Sequence, residues 1–176
     1  GVAAGGGDGS SSSTADEDEE HSSHKFQDFI GNFLAQVPFE AVDVWVPLSR
    51  QGDSSGVVLF HAGYFTNVPE LEEWGDYSTN FSFNLGEGLP GRVYYSNTSE
   101  WQPDVQQTDN NMFLRLNGAL QLGIRTTFGV PVVSRRGVTF VIVFYSRDTV
   151  QLTGALREFI ERTVTQWKFD ATFDSE

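Results

Sequence analysis

The run Phe140-Val141-Ile142-Val143-Phe144 is apolar at every position. Alternate side chains of a strand point to opposite faces, so apolar residues at both parities belong to a sheet covered on both sides. Two segments near the chain ends supply one cover. Phe26, Phe29, Ile30, Phe33, Leu34 and Val37 recur at helical spacing, as do Leu156, Phe159, Ile160, Thr163, Val164 and Trp167. Each is a helix with a single apolar stripe, suited to packing side by side on one face of the sheet. Shorter central helices then cover the other face. The expected class is α+β, built on an antiparallel sheet.

The remaining elements follow from local pattern. Val42, Val44 and Val46 alternate with Asp43 and Trp45, a strand ending at Pro47. A Gly- and Ser-rich turn joins it to a second strand over Val57–Tyr64. Residues 66–80 read as polar and irregular, with Glu70, Glu72 and Glu73 forming a solvated acidic cluster beside Trp74. Gly86, Gly88, Pro90 and Gly91 fix a tight loop, and Leu89–Tyr95 follows as a short helix with Pro90 in its first turn. Trp101–Val105 is short and extended. Met112, Leu116, Ala119 and Leu120 mark a helix that stops at Gly123. Thr126–Val133 and Val138–Tyr145 form a hairpin across Ser134-Arg135-Arg136-Gly137.

The 176 residues, 39% of them hydrophobic, suffice for one core. Residues 1–23 are Gly-, Ser- and acid-rich, which predicts a disordered linker. They lack the interspersed aromatics of an acidic activation tail. The folded domain spans 24–170 and a short tail 171–176. The chain does not begin with Met, which points to a segment of a longer protein. A net charge of −13 repels phosphate backbones, so direct nucleic-acid binding is not expected. No apolar run is long enough for a membrane helix. The absence of cysteine excludes disulfides, thiolate catalysis and thioether-linked chromophores, and fits an intracellular compartment, cytoplasm or nucleus.

Catalytic signatures are missing. There is no Gly-x-Ser-x-Gly elbow and no nominated carboxylate pair, so the chain is not expected to be an enzyme. The Gly86–Gly91 loop offers backbone amides to an anion but lacks the Gly-Lys-Ser/Thr sequel of a phosphate loop. His21 and His24 adjoin the linker. His61 sits within a strand, where a hydrogen-bonded structural role competes with iron ligation. No metal or cofactor is expected.

The segment Gly86-Glu87-Gly88-Leu89-Pro90-Gly91-Arg92-Val93, then Trp101–Val105, then Gly123-Ile124-Arg125-Thr126-Thr127-Phe128-Gly129-Val130-Pro131-Val132, resembles the GAF family over roughly residues 24–169. It resembles more loosely the GAF-like regions of plant transcription factors, those of basic helix-loop-helix and nodule-inception type included. The resemblance implies a sensory or regulatory domain with its pocket between the sheet and the short central helices. Phe83, Arg92, Tyr95, Trp101, Arg125, Thr127 and Tyr145 would then be ligand-binding wall residues, with Arg92 or Arg125 orienting an anionic or carbonyl group. The competing reading is that the aromatics fill the space and the arginines pair with acids such as Glu87 or Asp104. The ligand would be an unidentified small molecule. The alternative is a ligand-free module for dimerisation or protein interaction, a homodimer through the terminal helices. The cysteines of bilin-binding and methionine sulfoxide reductase GAF domains are absent. Trp167-Lys168-Phe169-Asp170 only superficially matches the cyclic-nucleotide motif, because it lies on the last helix.

Overall fold

The computed structural model describes residues 26–49 and 56–166. The linker 1–23, the turn ahead of the second strand, Trp167 and the tail 171–176 lie outside the described residues. A helix over 26–34 (α1) opens the domain. Then come β1 (Ala41–Ser49), β2 (Val57–Thr66), α2 (Glu72–Ser78), β3 (Ser82–Asn84), α3 (Gly88–Ser96) and β4 (Glu100–Gln102). The chain continues with α4 (Leu116–Leu122), β5 (Thr126–Val133), β6 (Thr139–Ser146) and α5 (Gly154–Gln166). The strands form one antiparallel sheet in the order β3-β2-β1-β6-β5-β4. Strands β1 and β6 therefore occupy its centre, with Ala41 opposite Tyr145 and Asp43 opposite Val143.

The layering is the one expected. On one face Phe26, Ile30, Phe33 and Leu34 of α1 meet Ile160 and Val164 of α5 over Val42, Val44, Ile142 and Phe144. On the other, Trp74 of α2, Leu89 and Val93 of α3, and Leu116 and Ala119 of α4 cover Trp45, Val141, Val143 and Tyr145. Every residue from Phe140 to Tyr145 is buried, so the run without polar parity has its two covers.

Strand β1 runs past its expected end at Pro47 to Ser49, α4 begins at Leu116 rather than near Met112, and two elements depart from the sequence expectation in kind. Residues 66–80 are not irregular: a 3-10 turn (Pro69–Leu71) leads into α2, with Trp74 fully buried and Glu72 and Glu73 on the solvent side. Seven residues with Gly75 in the interior carry almost no intrinsic helix signal. Packing supplies the reason for that glycine, since a Cβ there would lie 2.3 Å from the Tyr64 ring. Strand β3 is only three residues long and was hidden in the approach to the glycine loop.

Strand β2 carries a bulge. Val44 pairs with Gly63 but Trp45 pairs with His61, so Ala62 is the extra residue. His61 and Tyr64 are three apart and would face opposite sides of a regular strand. The bulge turns both toward the α2–α4 layer, their rings 6.3 Å apart.

The glycine-proline corner is a backbone lock. The Gly86 N–H donates to the Gly91 carbonyl at 2.9 Å, and the Glu87 N–H to the Asn84 carbonyl at 3.1 Å. A Cβ on Gly91 would lie 2.3 Å from that Asn84 oxygen, a backbone atom with no rotamer to yield. Gly91→Ala is therefore expected to cost about 1–3 kcal/mol of stability in urea unfolding. Gly154→Ala, whose Cβ meets nothing within 4 Å, should cost none.

Candidate functional site

Asp43 lies on β1 in the centre of the sheet and is completely buried, facing the layer of short helices. Burying a carboxylate without partners is prohibitive, so its surroundings must supply donors and charge. The Tyr145 hydroxyl donates to both oxygens, at 2.8 and 2.9 Å, and the Trp45 indole N–H donates at 2.8 Å. The counter-charge is Arg115, from the turn preceding α4. Its Nη1 lies at the longer distance of 3.5 Å from Asp43 Oδ2 and donates to Ser78 Oγ of α2 at 3.0 Å. Burial pushes the Tyr145 phenol well above the ordinary tyrosine range, with the Asp43 charge adding in the same direction. The hydroxyl thus keeps its proton and remains a donor.

The guanidinium is enclosed by aromatic rings. Trp74 and Trp45 have their centroids 5.0 and 5.1 Å from Cζ, Phe113 and Tyr145 lie at 5.2 and 5.3 Å, and Phe83 at 5.6 Å. Ring faces attract a cation, by roughly 0.5–2 kcal/mol each according to desolvation. They hold the side chain without using its hydrogen-bond donors. Close approach of the helices depends on Gly118 of α4, where a Cβ would sit 2.2 Å from the Tyr77 ring of α2.

This arrangement leaves donors over. Among the described residues, the buried side-chain polar atoms without a hydrogen-bond partner are Arg115 Nη2, Trp74 Nε1, His61 Nε2 and Thr127 Oγ1. All four belong to the layer between the sheet and the short helices. Thr127 pairs directly across from Tyr145, and His61 packs edge-on to Trp45 at 4.9 Å. His61 Nε2 is 3.2 Å from Asp43 Oδ2, but it lies off the hydrogen-bond direction and makes no bond. An arginine nitrogen and an indole nitrogen can only donate, and a hydroxyl can also do so. Arg115 Nη2 and Trp74 Nε1 are therefore donors that no acceptor in the layer reaches.

The residues nominated from sequence divide between the two faces. Phe83, Thr127 and Tyr145 stand in the Arg115 layer. Trp101 stands on the other face: it pairs with Phe128 and packs on Phe39 and Phe128 in the layer of α1 and α5. Tyr95 points outward and is 74% exposed. Arg92 is engaged by Glu100, with hydrogen bonds of 2.9 and 2.7 Å, and Arg125 by Asp104 at 2.9 Å. The pairing of Arg125 with Asp104 is the competing reading; Arg92 chose Glu100 rather than Glu87. Asp43, Trp45, Trp74 and Arg115 were not nominated. A signal existed for Asp43, because an acid inside a sheet covered on both faces requires a buried cation somewhere in the chain.

Comparison with known proteins places the fold. No family model matches the chain. The protein NLP2 of Arabidopsis thaliana is 27% identical over 117 residues, which is 62% of this chain and 12% of that protein. The chain therefore spans only a small part of the length of the relatives it matches. Among solved structures, the GAF domain region of a putative membrane protein from Geobacter sulfurreducens PCA covers 87% of this chain and 95% of its own, with a TM-score of 0.61 and 16% identity. NreA from Staphylococcus aureus, described as mutated in its nitrate binding site, covers 79% of this chain and 98% of its own, with a TM-score of 0.56 and 14% identity. The fold is that of a GAF domain.

The charge balance of the buried pair can be measured. Arg115→Met strands the Asp43 carboxylate and is expected to cost about 3–5 kcal/mol, whereas Arg115→Met with Asp43→Asn should cost markedly less than the two single changes added together. Strict additivity in chemical denaturation would show that the two residues do not interact.

Proposed function

We propose that this GAF-fold chain is a regulatory domain that binds a small oxyanion among the unpartnered donors around Arg115. The observation that carries the reading is the surplus of buried donors with no acceptor to receive them. Buried polar groups are nearly always satisfied, and each exception calls for a bound partner or a function. Asp43 does not meet the need, because Arg115 approaches it only through Nη1 at 3.5 Å and neither Arg115 Nη2 nor Trp74 Nε1 has a hydrogen bond to it. The flat rings of Trp45, Trp74, Phe83 and Phe113 suit a planar anion, while Arg115 Nη2, Trp74 Nε1 and Thr127 Oγ1 supply donors. The nitrate binding site named for NreA, a protein of the same fold, supports the choice of anion.

A regulatory role follows from where the donors sit. Trp74 and Ser78 belong to α2, Arg115 leads into α4, and Asp43 and Tyr145 sit on the two central strands. An anion bridging these groups ties both short helices to the sheet, so occupancy alters the surface those helices present. The chain's matches to plant NLP proteins fit a domain that reports on a small molecule within a larger transcriptional regulator.

Titrating the 176-residue chain with sodium nitrate at pH 6, against sodium chloride at equal ionic strength, tests the reading. Nitrate should bind and raise the unfolding midpoint in proportion to ligand excess. Trp74→Phe keeps the ring but removes the indole donor, and should weaken binding by about tenfold or more. A midpoint indifferent to nitrate would remove the proposal.

A further inference from the structure

We infer that anion uptake at this site is coupled to protonation of His61, one proton accompanying each anion; this rests on the oxyanion reading above. The reason is charge balance in a closed layer. Arg115 is positive and Asp43 negative, and both are fully buried, so the pair is neutral before any ligand arrives. A bare anion entering that layer would leave an uncompensated buried charge, which is strongly disfavoured. His61 is the neighbouring group able to supply the missing positive charge near neutral pH. Its side chain is 5% exposed, and its Nε2 lies 3.2 Å from Asp43 Oδ2 without a hydrogen bond. Once protonated, the imidazolium donates to Asp43 after a small ring rotation. Asp43 is then shared between His61 and Arg115, and the Arg115 donors are freed toward the anion.

The groups facing His61 are consistent with this role. Asp43 comes from β1, Tyr145 from β6, Arg115 from the turn before α4, and Tyr64 from β2 itself. Burial and the Asp43 charge push the Tyr64 phenol upward, with Glu72 and Asp76 of α2 adding to the shift, and its hydroxyl donates to the Leu71 carbonyl. Tyr145 is likewise held protonated. Both phenols stay neutral across the physiological range, so neither adds charge to the cluster. The bulge at Ala62 is what brings this histidine to the face that carries Asp43 and Trp45. A regular strand would have presented Ala62 opposite Trp45 instead.

The experiment is calorimetric titration of the whole chain with sodium nitrate between pH 5.5 and 8, in two buffers of different ionisation enthalpy. Nitrate stays ionised throughout, so any proton taken up belongs to the protein. Affinity should fall with rising pH, by about tenfold per unit where one proton is taken up with each nitrate. The buffer-dependent heat should correspond to uptake of about one proton per nitrate at the alkaline end. His61→Gln should bind weakly and without pH dependence. Nitrate binding of constant strength across the range would overturn the coupling while leaving the anion reading intact. A His61→Gln chain that keeps the wild-type pH slope would also overturn it. No binding at any pH overturns both. Should His61→Gln fail to fold, the wild-type buffer heats decide alone, and zero proton uptake contradicts the inference.

Discussion

A carboxylate buried at the centre of the sheet is the constraint from which the rest of this layer follows. Asp43 cannot be solvated, so it must be met by donors and a cation from other elements. Tyr145 reaches it from the neighbouring strand, Trp45 from two residues along, and Arg115 from the far side of the layer. Meeting one demand creates another. Arg115 is drawn into a ring-walled interior where only Ser78 receives it at a good hydrogen-bond distance. The layer ends with its acid bonded by Tyr145 and Trp45 and with one nitrogen of its base unpartnered.

The two faces of the sheet divide the labour. The face covered by α1 and α5 is packed with Phe, Val, Ile and Leu, and includes none of the unpartnered buried side-chain atoms found among the described residues. It seats the two terminal helices side by side on the sheet. The face covered by α2, α3 and α4 holds the buried ion pair and every such unpartnered atom. Its geometry depends on small residues at contact points. Gly75 admits the Tyr64 ring and Gly118 admits Tyr77, which lets two short helices approach closely enough to surround a guanidinium. Helices of seven residues have little stability of their own and draw it from this packing.

Much of the scaffold was legible in the sequence, and the reason is period. Phe140–Phe144 announced a two-sided sheet, the stripes of α1 and α5 announced their common face, and the glycine-proline corner announced its turn. The site was much less legible. Asp43 and Trp45 alternate with valines and look like the wet side of a strand. They are the second buried side, which follows only when the two-sided burial read from Phe140–Phe144 is carried over to this strand. Arg115 stands between Leu114 and Leu116 in a turn, with no local sign that it folds inward. Trp74 was hidden by its acidic neighbours, which mark the outer face of the helix that buries it. The nominations that stand in the Arg115 layer are strand residues, Thr127 and Tyr145, together with Phe83 on the short β3. Arginines chosen by proximity to the family motif were consumed by local ion pairs. Burial of charge is a property of pairs far apart in sequence, and Asp43 and Arg115 are separated by 72 positions.

The central claim, that the layer around Arg115 holds spare donors awaiting an acceptor, is tested most directly by nitrogen-edited NMR of the four tryptophan indoles during addition of nitrate. The Trp74 Nε1–H resonance should move downfield and saturate, while the Trp45 indole, already bonded to Asp43, should move little. A Trp74 indole that stays unchanged while nitrate saturates the protein elsewhere would contradict the account.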